Sequence, residues 1–85
     1  MFFVYILKSL KDLKLYTGST NDLRRRLREH NSGLIASTKF RRPLRPVYYE
    51  AYRSESEARQ REKNLKLRAR ALQQLQKRIK ESISL

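Results

Sequence analysis

The chain has 85 residues, which is enough for one compact domain with a modest hydrophobic core. It contains no cysteine and a single histidine, which excludes a disulfide framework, a cysteine-based zinc site and a multi-histidine metal cage. Lys and Arg outnumber Asp and Glu by 21 to 8, and the net charge of +13 makes nucleic acid the expected partner.

Composition leaves the class of activity open. A passive RNA-coating protein is also small and basic, so charge does not separate such a protein from an enzyme, and an anionic membrane surface is a weaker alternative partner. The apolar residues 1–7 are followed directly by Lys8, and this stretch is too short for a signal peptide or a membrane span. We therefore expect a cytoplasmic protein with no membrane association.

Two short strands are predicted at the start of the chain. Residues 2–8 are rich in aromatic and β-branched side chains, which favour a strand, and residues 15–19 form a second strand after a polar break. Their proximity in the sequence predicts an antiparallel hairpin. Gly18, near the end of the second strand, indicates a bulge or a close approach between the backbone and another group.

A helix, a loop and a third strand are predicted next. Residues 20–22 offer capping side chains for a helix over residues 23–31, and Gly33 is a natural stop. Two prolines and several cations make residues 33–45 a loop. The aromatic residues 47–52 predict a third strand.

The C-terminal third is predicted to be helical. Ser54 and Glu57 have the spacing of a capping box, so a helix begins at about Glu55. An amphipathic pattern continues through a C-terminal helix at about residues 69–84, with a break near residues 66–70 left open. The element order is β-β-α-β-α(-α), which predicts an α+β fold with a small sheet covered by helices.

Glu62 is an anomaly on the first of these C-terminal helices. It shares a helix face with Ala58 and Leu65, the face that we expect to be buried. A carboxylate there loses hydration and needs a cation, hydrogen-bond donors or a metal ion. A salt bridge to one of the arginines and a metal-binding role fit this position equally well.

Arg26 and His30 lie four residues apart and therefore share a face of the first helix, at the edge of the core. A guanidinium in this place suits bidentate hydrogen bonding to a phosphate. A lone histidine is more often a structural hydrogen-bonding residue. The neighbouring cations are interpreted as a basic surface that contacts the nucleic-acid backbone: Arg24 and Arg25 on the helix, and Lys39, Arg41 and Arg42 in the loop.

Tyr5 and Tyr16 lie on the two strands of the hairpin, where they can approach each other. Each of them by itself fits packing in a small core. Lys8 is expected at the end of the first strand, with its ammonium group reaching solvent. The tyrosines of the third strand fit either packing or base stacking: Tyr48, Tyr49 and Tyr52.

Taken in order, these residues resemble the GIY-YIG nuclease superfamily. Phe3-Val4-Tyr5 stands where the family has its first Gly-Ile-Tyr, and Tyr16-Thr17-Gly18 stands where it has Tyr-Ile-Gly. Arg26 and His30 follow, and residues 57–63 are similar to the helix that carries the family's metal-binding glutamate. In size and motif pattern, the chain is most similar to the small stand-alone bacterial members, which resemble the N-terminal nuclease domain of the excinuclease C subunit.

The resemblance covers about residues 2–66 and implies both a fold and an activity. The implied fold is a three-stranded antiparallel sheet flanked by helices, within a single domain over residues 1–85. The implied activity is a divalent-metal-dependent endonuclease acting on DNA, in repair or recombination, with one Mg²⁺ or Mn²⁺ ion.

The resemblance also implies roles for single residues. Glu62 holds the metal ion, and Arg26 clamps the phosphate. Tyr5 or Tyr16 orients or deprotonates the attacking water, with Tyr5 as the usual base, which requires a pKa well below the ordinary value of about 10. Lys8 and His30 have supporting roles. Gly18 lets the backbone approach the substrate.

Two alternatives remain open at this stage. One is a catalytically weak module of the same fold that binds nucleic acid, including RNA. The other is a basic scaffold protein that docks through the stripe of residues 72, 75, 79 and 83, although packing of this stripe on the domain itself is the simpler interpretation. Because no sequence-reading motif is present, any cleavage is expected to be structure-specific or weakly specific, with a protein partner as one source of specificity.

Overall fold

A computed structural model describes all of residues 1–85. It contains three β-strands, β1 (Phe2–Ser9), β2 (Leu15–Thr20) and β3 (Leu44–Tyr52). It also contains four α-helices, none of them long and apolar enough to cross a membrane: α1 (Leu23–Asn31), α2 (Glu55–Leu67), α3 (Ala69–Arg78) and α4 (Lys80–Ser84). The predicted α+β class, with a three-stranded antiparallel sheet flanked by helices, is confirmed.

β1 is the central strand of the sheet. The strand order is β2-β1-β3, and β1 pairs with both neighbours in an antiparallel arrangement, as the predicted hairpin requires. Tyr5 stands opposite Gly18 on β2 and opposite Tyr49 on β3. Because side chains directly opposite each other share a face of the sheet, this register decides which residues meet.

The two faces of the sheet carry separate cores. Val4 and Ile6 of β1 pack against the buried residues of α2 and α3, which are Ala58, Leu65, Leu75 and Ile79. The alternate residues Tyr5 and Leu7 pack with α1 on the other face, against Leu23, Leu27 and Leu44. The chain therefore forms three layers, with α1 on one side of the sheet and α2 and α3 on the other.

Local signals set the ends of the first two helices. The Asp22 carboxylate accepts a hydrogen bond from the backbone N–H of Arg25, and the Ser54 hydroxyl accepts one from the N–H of Glu57, so both predicted caps are formed. Gly33 has a φ of 79°, a left-handed conformation that follows the end of α1 and that glycine adopts without steric cost.

The third strand begins earlier than predicted. β3 starts at Leu44 rather than at residue 47, and a short 3₁₀ turn at Lys39–Arg41 interrupts the predicted loop. The Asn31 side chain bonds both the backbone N–H and the backbone C=O of Leu44, which supplies partners on the side that lacks a neighbouring strand. Pro46 is tolerated because β3 is an edge strand with a register irregularity at this point.

The C-terminal helical region has two breaks rather than one. α2 ends before Arg68, which has an extended backbone, and this break lies within the range left open above. The predicted helix at about residues 69–84 is interrupted again at Ile79, so that α4 follows as a separate short helix. Leu75 and Ile79 are buried and Ile83 packs beside them, so this stripe covers the protein's own sheet.

Candidate active site

Two tyrosines and the histidine pack together on the α1 side of the sheet. The ring centroids of Tyr5 and Tyr16 are 6.5 Å apart, and the ring of His30 lies 5.7 Å from the first and 5.1 Å from the second. β1 and β2 supply the tyrosines on their shared face, and the last turn of α1 supplies the histidine. The fold thus brings together three residues predicted for the site.

His30 uses both of its ring nitrogens. Nε2 lies 2.8 Å from the Tyr5 hydroxyl, and Nδ1 lies 2.7 Å from the Thr38 hydroxyl. All three side chains are buried. Burial and the positive charge of Arg26 lower the pKa of His30, against a smaller opposing effect of Glu29, so the imidazole is neutral at pH 7.

The Tyr5 hydroxyl keeps its proton at neutral pH. Burial raises the pKa of Tyr5 above its ordinary value, and the guanidinium of Arg26 offsets only part of that rise. Without a bound metal ion, the pKa of Tyr5 is therefore not lowered as a base at this position requires, because lost hydration outweighs the attraction of one nearby cation. Tyr5 is present as a phenol whose oxygen touches a neutral imidazole.

The Tyr5 ring lies against Gly18, its neighbour across the hairpin. A Cβ atom at position 18 would stand 2.4 Å from the Tyr5 hydroxyl oxygen and 2.5 Å from the ring carbon Cζ. The pairing of β1 with β2 is regular at this point, so no bulge is present. The close approach predicted at Gly18 is made by Tyr5, which leaves no space above this glycine for a substrate.

Glu62 projects from α2 towards β2. Its Oε1 accepts a hydrogen bond of 2.5 Å from the Ser19 hydroxyl, and its Oε2 forms an ion pair of 2.8 Å with Lys66. The side chain is 21% exposed, in keeping with its predicted helix face, but its partner is a lysine one turn away rather than an arginine. Burial by itself raises the pKa of Glu62, yet these two bonds and the charges of Lys66 and Arg59 hold it below its usual range. Glu62 is therefore an anion at pH 7.

Arg26 lies beside Tyr5 and lines a cleft of about 250 Å³. Its Nη1 contacts Glu29 at 3.2 Å, whereas its Nε is buried and has no hydrogen-bond partner. The cleft carries three guanidinium groups and one carboxylate among its lining residues, which include Ser19, Asn21, Arg25, Arg26, Glu55 and Arg59. A lining with three guanidinium groups suits a phosphate group.

Glu62 is also the residue that can hold a divalent ion at this site. No group of three or more His, Cys, Asp or Glu side chains meets anywhere in the structure, so a metal cage made of protein alone is excluded. Mg²⁺ is commonly bound through one or two carboxylates together with substrate phosphates and water. An anionic Glu62 near a phosphate-sized cleft, joined to it through Ser19, fits this second mode.

The two predicted backbone-binding arginines of α1 point to different grooves. Arg25 lines the same cleft as Arg26 and bonds the Asn21 side chain. Arg24 lines a separate groove on the other side of α1, beside Phe3 and Tyr49. The first arginine therefore belongs to the candidate site, and the second does not.

The predicted basic residues of the loop have unequal surroundings. Lys39 and Arg42 are exposed, and neither forms an ion pair. Arg41 instead contacts the Asp12 carboxylate at 2.7 Å, which fastens the loop to the turn between β1 and β2. The structure thus gives Arg41 a structural partner, unlike the free phosphate contact predicted for it.

Lys8 lies apart from the site. Side chains alternate along β1, so a residue three positions from Tyr5 points to the opposite face of the sheet. There the Lys8 ammonium group donates a hydrogen bond of 2.9 Å to the backbone carbonyl of Ile83 in α4. Lys8 does lie at the end of the first strand as predicted, but its ammonium group bonds the C-terminal helix instead of standing free in solvent, and its supporting role in catalysis stays a prediction.

Three further residues, not predicted from the sequence, complete the site. Lys66 was detectable as the cation four positions after Glu62, a spacing that places both on one helix face. Ser19 and Thr38 carry no local signal, because their contacts with Glu62 and His30 depend on how β2 and the loop pack against the helices.

A second carboxylate beneath α2 has a structural role. Glu50 of β3 is held by Arg61 at 2.9 Å and accepts hydrogen bonds from the hydroxyls of Tyr48 and Tyr52. Burial and the bond to Glu50 raise the pKa of Tyr52 to about 12. This network ties α2 to β3, while Glu62 ties the same helix to β2.

Comparisons with known proteins identify related sequences and a related fold. The model of a family described as the GIY-YIG catalytic domain matches residues 1–81. A UPF0213 protein of Staphylococcus epidermidis is 46% identical over 80 residues, which span 93% of this chain and 94% of that protein. A UPF0213 protein of Clostridium perfringens is 46% identical over 67 residues, covering 78% and 71%. The solution structure of a UPF0213 protein from Bacillus halodurans is similar with a TM-score of 0.54 and 41% identity, over 88% of this chain and 82% of that one.

Proposed function

This chain belongs to the family of GIY-YIG catalytic domains, a family of nucleases, and we propose that it is a divalent-metal-dependent endonuclease that hydrolyses phosphodiester bonds in DNA. One observation carries the proposal. Arg26 lines a positive cleft and lies beside the hydrogen-bonded pair of Tyr5 and His30, while the anionic Glu62 is joined to the same cleft through Ser19. The net charge of +13 favours a polyphosphate substrate.

Glu62 would hold the metal ion together with the scissile phosphate. When bound, the ion would supply positive charge that stabilises the departing oxygen. Ser19 would keep one carboxylate oxygen oriented, and Lys66 would release the other, because its side chain is 46% exposed and can turn towards solvent. Lys66 also lies 5.9 Å from the Tyr16 ring centre, so it connects the Glu62 carboxylate with the tyrosine cluster across β2.

Tyr5 and His30 would handle the proton of the attacking water. The Tyr5 oxygen can take that proton only if it gives up its own, and His30 Nε2 at 2.8 Å is the acceptor within reach. The imidazole then carries a hydrogen on each nitrogen, and the Thr38 hydroxyl oxygen accepts the one on Nδ1. This pairing supplies an acceptor for the Tyr5 proton at the moment when the phenol oxygen takes a proton from water.

Arg26 would bind the phosphate that is cut. Its side chain is partly exposed and its terminal nitrogens form an ion pair only with Glu29, at 3.2 Å, so the guanidinium could turn them towards a phosphate oxygen in the cleft. Arg25 and Arg59 would bind adjacent phosphates from the rim of the cleft. None of these contacts reads a base, which agrees with structure-specific or weakly specific cutting, and a protein partner could add specificity.

The test compares Glu62→Gln with Glu57→Gln, a matched change at an exposed position of the same helix. Labelled plain, flapped and branched DNA, and RNA of the same sequences, are incubated with each protein with and without Mg²⁺. We expect cutting of DNA only with Mg²⁺, a loss of about a hundredfold or more with Glu62→Gln, and little change with Glu57→Gln. No cutting of any DNA by the unaltered protein, or equal cutting by both variants, would overturn the proposal. Cutting of RNA alone would replace the proposed substrate.

Arg26→Ala separates a catalytic contact from general basic attraction. We expect the rate of cutting to fall far more than the affinity for DNA. Binding loses only one of many cations, whereas the scissile phosphate loses the arginine that positions it. Binding is measured in EDTA over a range of salt concentrations, where affinity should fall steeply as salt is added. If affinity falls in proportion to the rate, Arg26 is only part of the basic surface.

A further inference from the structure

We propose that the exposed ring of Phe40 is a stacking platform for one unpaired base of the nucleic acid, beside the active site. The proposal rests on the proposed function for its ligand class, since it requires a nucleic-acid strand. It adds a feature that the substrate must have, namely a nucleotide outside a base pair near the position of cutting.

Packing does not explain Phe40. Its side chain is 75% exposed and stands on the short 3₁₀ turn that interrupts the predicted loop. The Lys39 ammonium group lies 5.4 Å from its ring centre. A cation close to an aromatic ring is a common pairing in sites for single-stranded nucleic acid, where the ring stacks on a base and the cation meets the backbone.

The groove around this ring is positive throughout. It has a volume of about 470 Å³, and Lys11, Lys39 and Arg42 line it together with Asn31 and Pro43. These three exposed cations form no ion pair, and no carboxylate lines the groove. The lining therefore complements the phosphates on either side of a stacked base.

A second exposed aromatic residue provides a comparison. Tyr49 is 58% exposed on β3 and packs edge-on against Phe3 at 5.9 Å. Its groove is lined by one cation, Arg24, and one anion, Asp22. Because these charges balance, the observations favour Phe40 over Tyr49 as the base-binding ring.

The platform is joined firmly to the active site. Thr38, which precedes the turn, bonds His30, and the hydroxyls of Ser37 and Tyr16 lie 3.3 Å apart. On the C-terminal side of Phe40 in the chain, Arg41 contacts Asp12 at 2.7 Å. A strand that passes the Ser37 and Tyr16 hydroxyls would therefore continue towards a turn that is already fixed at both ends.

An unpaired base is the ligand that this ring fits. In a duplex, both faces of each base are covered by its neighbours, whereas a base in a single strand can lay one face on an aromatic ring. The Asn31 side chain is already occupied by the backbone of Leu44, so it does not read a base edge. Stacking of this kind tolerates any sequence.

The chain contains no tryptophan, so a single Trp introduced by substitution reports by its fluorescence on one position only. Phe40→Trp and, as the matched control, Tyr49→Trp are prepared in the Glu62→Gln background, and an unlabelled single-stranded oligonucleotide is titrated in EDTA. We expect the fluorescence of Trp at position 40 to be quenched on stacking, with little change at position 49. Quenching at position 49 alone, or at neither position despite binding, would overturn the proposal.

Affinity measurements provide the second arm. Phe40→Ala should weaken binding of a single strand about tenfold, while Phe40→Tyr keeps a ring and should bind as the unaltered protein does. Binding of a blunt duplex should change less than about twofold with either variant. An equal loss for single strand and duplex would instead indicate a wedge or backbone contact. Because these assays contain no metal ion, they do not depend on cutting. Stacking here combined with no cutting of DNA in the Mg²⁺ assays would contradict the proposed function alone, and cutting in those assays without stacking here would contradict only this inference.

Discussion

The hydroxyl group of Tyr5 occupies the space in which a side chain at Gly18 would begin. The two residues stand opposite each other on β1 and β2, and a Cβ atom at position 18 would lie 2.4 Å from the Tyr5 oxygen. The absence of a side chain on β2 is thus what allows the hydroxyl to reach this position, where it also lies 2.8 Å from His30. A glycine in the second strand and a tyrosine in the first act as one structural unit.

Gly18→Ala should therefore displace Tyr5. Because the clash involves a buried ring as well as its hydroxyl, we expect a loss of about 1–3 kcal/mol in the free energy of unfolding, measured with urea. Under the proposed function, cutting should also fall sharply, since the bond between Tyr5 and His30 cannot keep its geometry.

The matched measurement repeats Gly18→Ala in a Tyr5→Leu background. Leucine is too short to reach position 18, so the alanine should cost much less there. Equal costs in the two backgrounds would show that Tyr5 is not the cause.

Stability should depend on pH through His30 between about pH 5 and 7. The folded state lowers the pKa of His30, so below the unfolded value of about 6.5 the unfolded chain binds more protons than the folded one. The free energy of unfolding should consequently fall as the pH drops through this window, by up to about 1.4 kcal/mol per pH unit.

Urea unfolding of the unaltered protein and of His30→Gln checks this dependence. The chain has one histidine, so the variant should be nearly flat over the same window. Glu50 and Glu62 have lowered pKa values and contribute stability that is lost only as the pH falls through about 4.5 and below. An equally steep fall in the variant would assign the effect to some other group.

Lys66→Met should strengthen metal binding. The lysine neutralises one oxygen of Glu62, and methionine keeps most of the side-chain volume without the charge. Because the ion pair is partly exposed, its removal should lower the Mg²⁺ concentration needed for half-saturation by about twofold to fivefold.

Calorimetric titration of Mg²⁺ into the protein bound to uncleavable phosphorothioate DNA measures this shift. Lys63→Met removes a charge from the same helix without touching Glu62 and serves as the control. If Lys66→Met leaves Mg²⁺ binding unchanged but weakens DNA binding, the lysine contacts the substrate and does not compete with the metal.

Arg61→Ala should destabilise the fold through Glu50. The arginine makes contacts of 2.9 and 3.0 Å with a carboxylate that is only 15% exposed, and removing it leaves that charge short of a partner. We expect a cost of about 2–3 kcal/mol, somewhat less than for a fully buried ion pair.

Arg59→Ala is the control for stability. Its ion pair with Glu55 is exposed, so the change should cost less than about 0.5 kcal/mol in urea unfolding. Similar costs for the two variants would mean that the Glu50 network contributes little and that α2 is held mainly by its apolar face.

The sequence by itself determined the order and nature of the elements. Capping side chains at Asp22 and Ser54 and the apolar spacing along the helices are local signals, and each acts within a few residues. The spacing of the two tyrosines and the partial burial of Glu62 could be predicted from the sequence for the same reason. These signals were sufficient for the α+β fold and for a list of candidate residues.

Only the tertiary structure decided which candidates meet. The register of β1 placed Tyr5 against Gly18 and sent Lys8 to the opposite face, because side chains alternate along a strand. The pKa of Tyr5 was set by burial in a core that forms only when α1 packs on the sheet. Such contacts join residues far apart in the chain, so no local pattern specifies them.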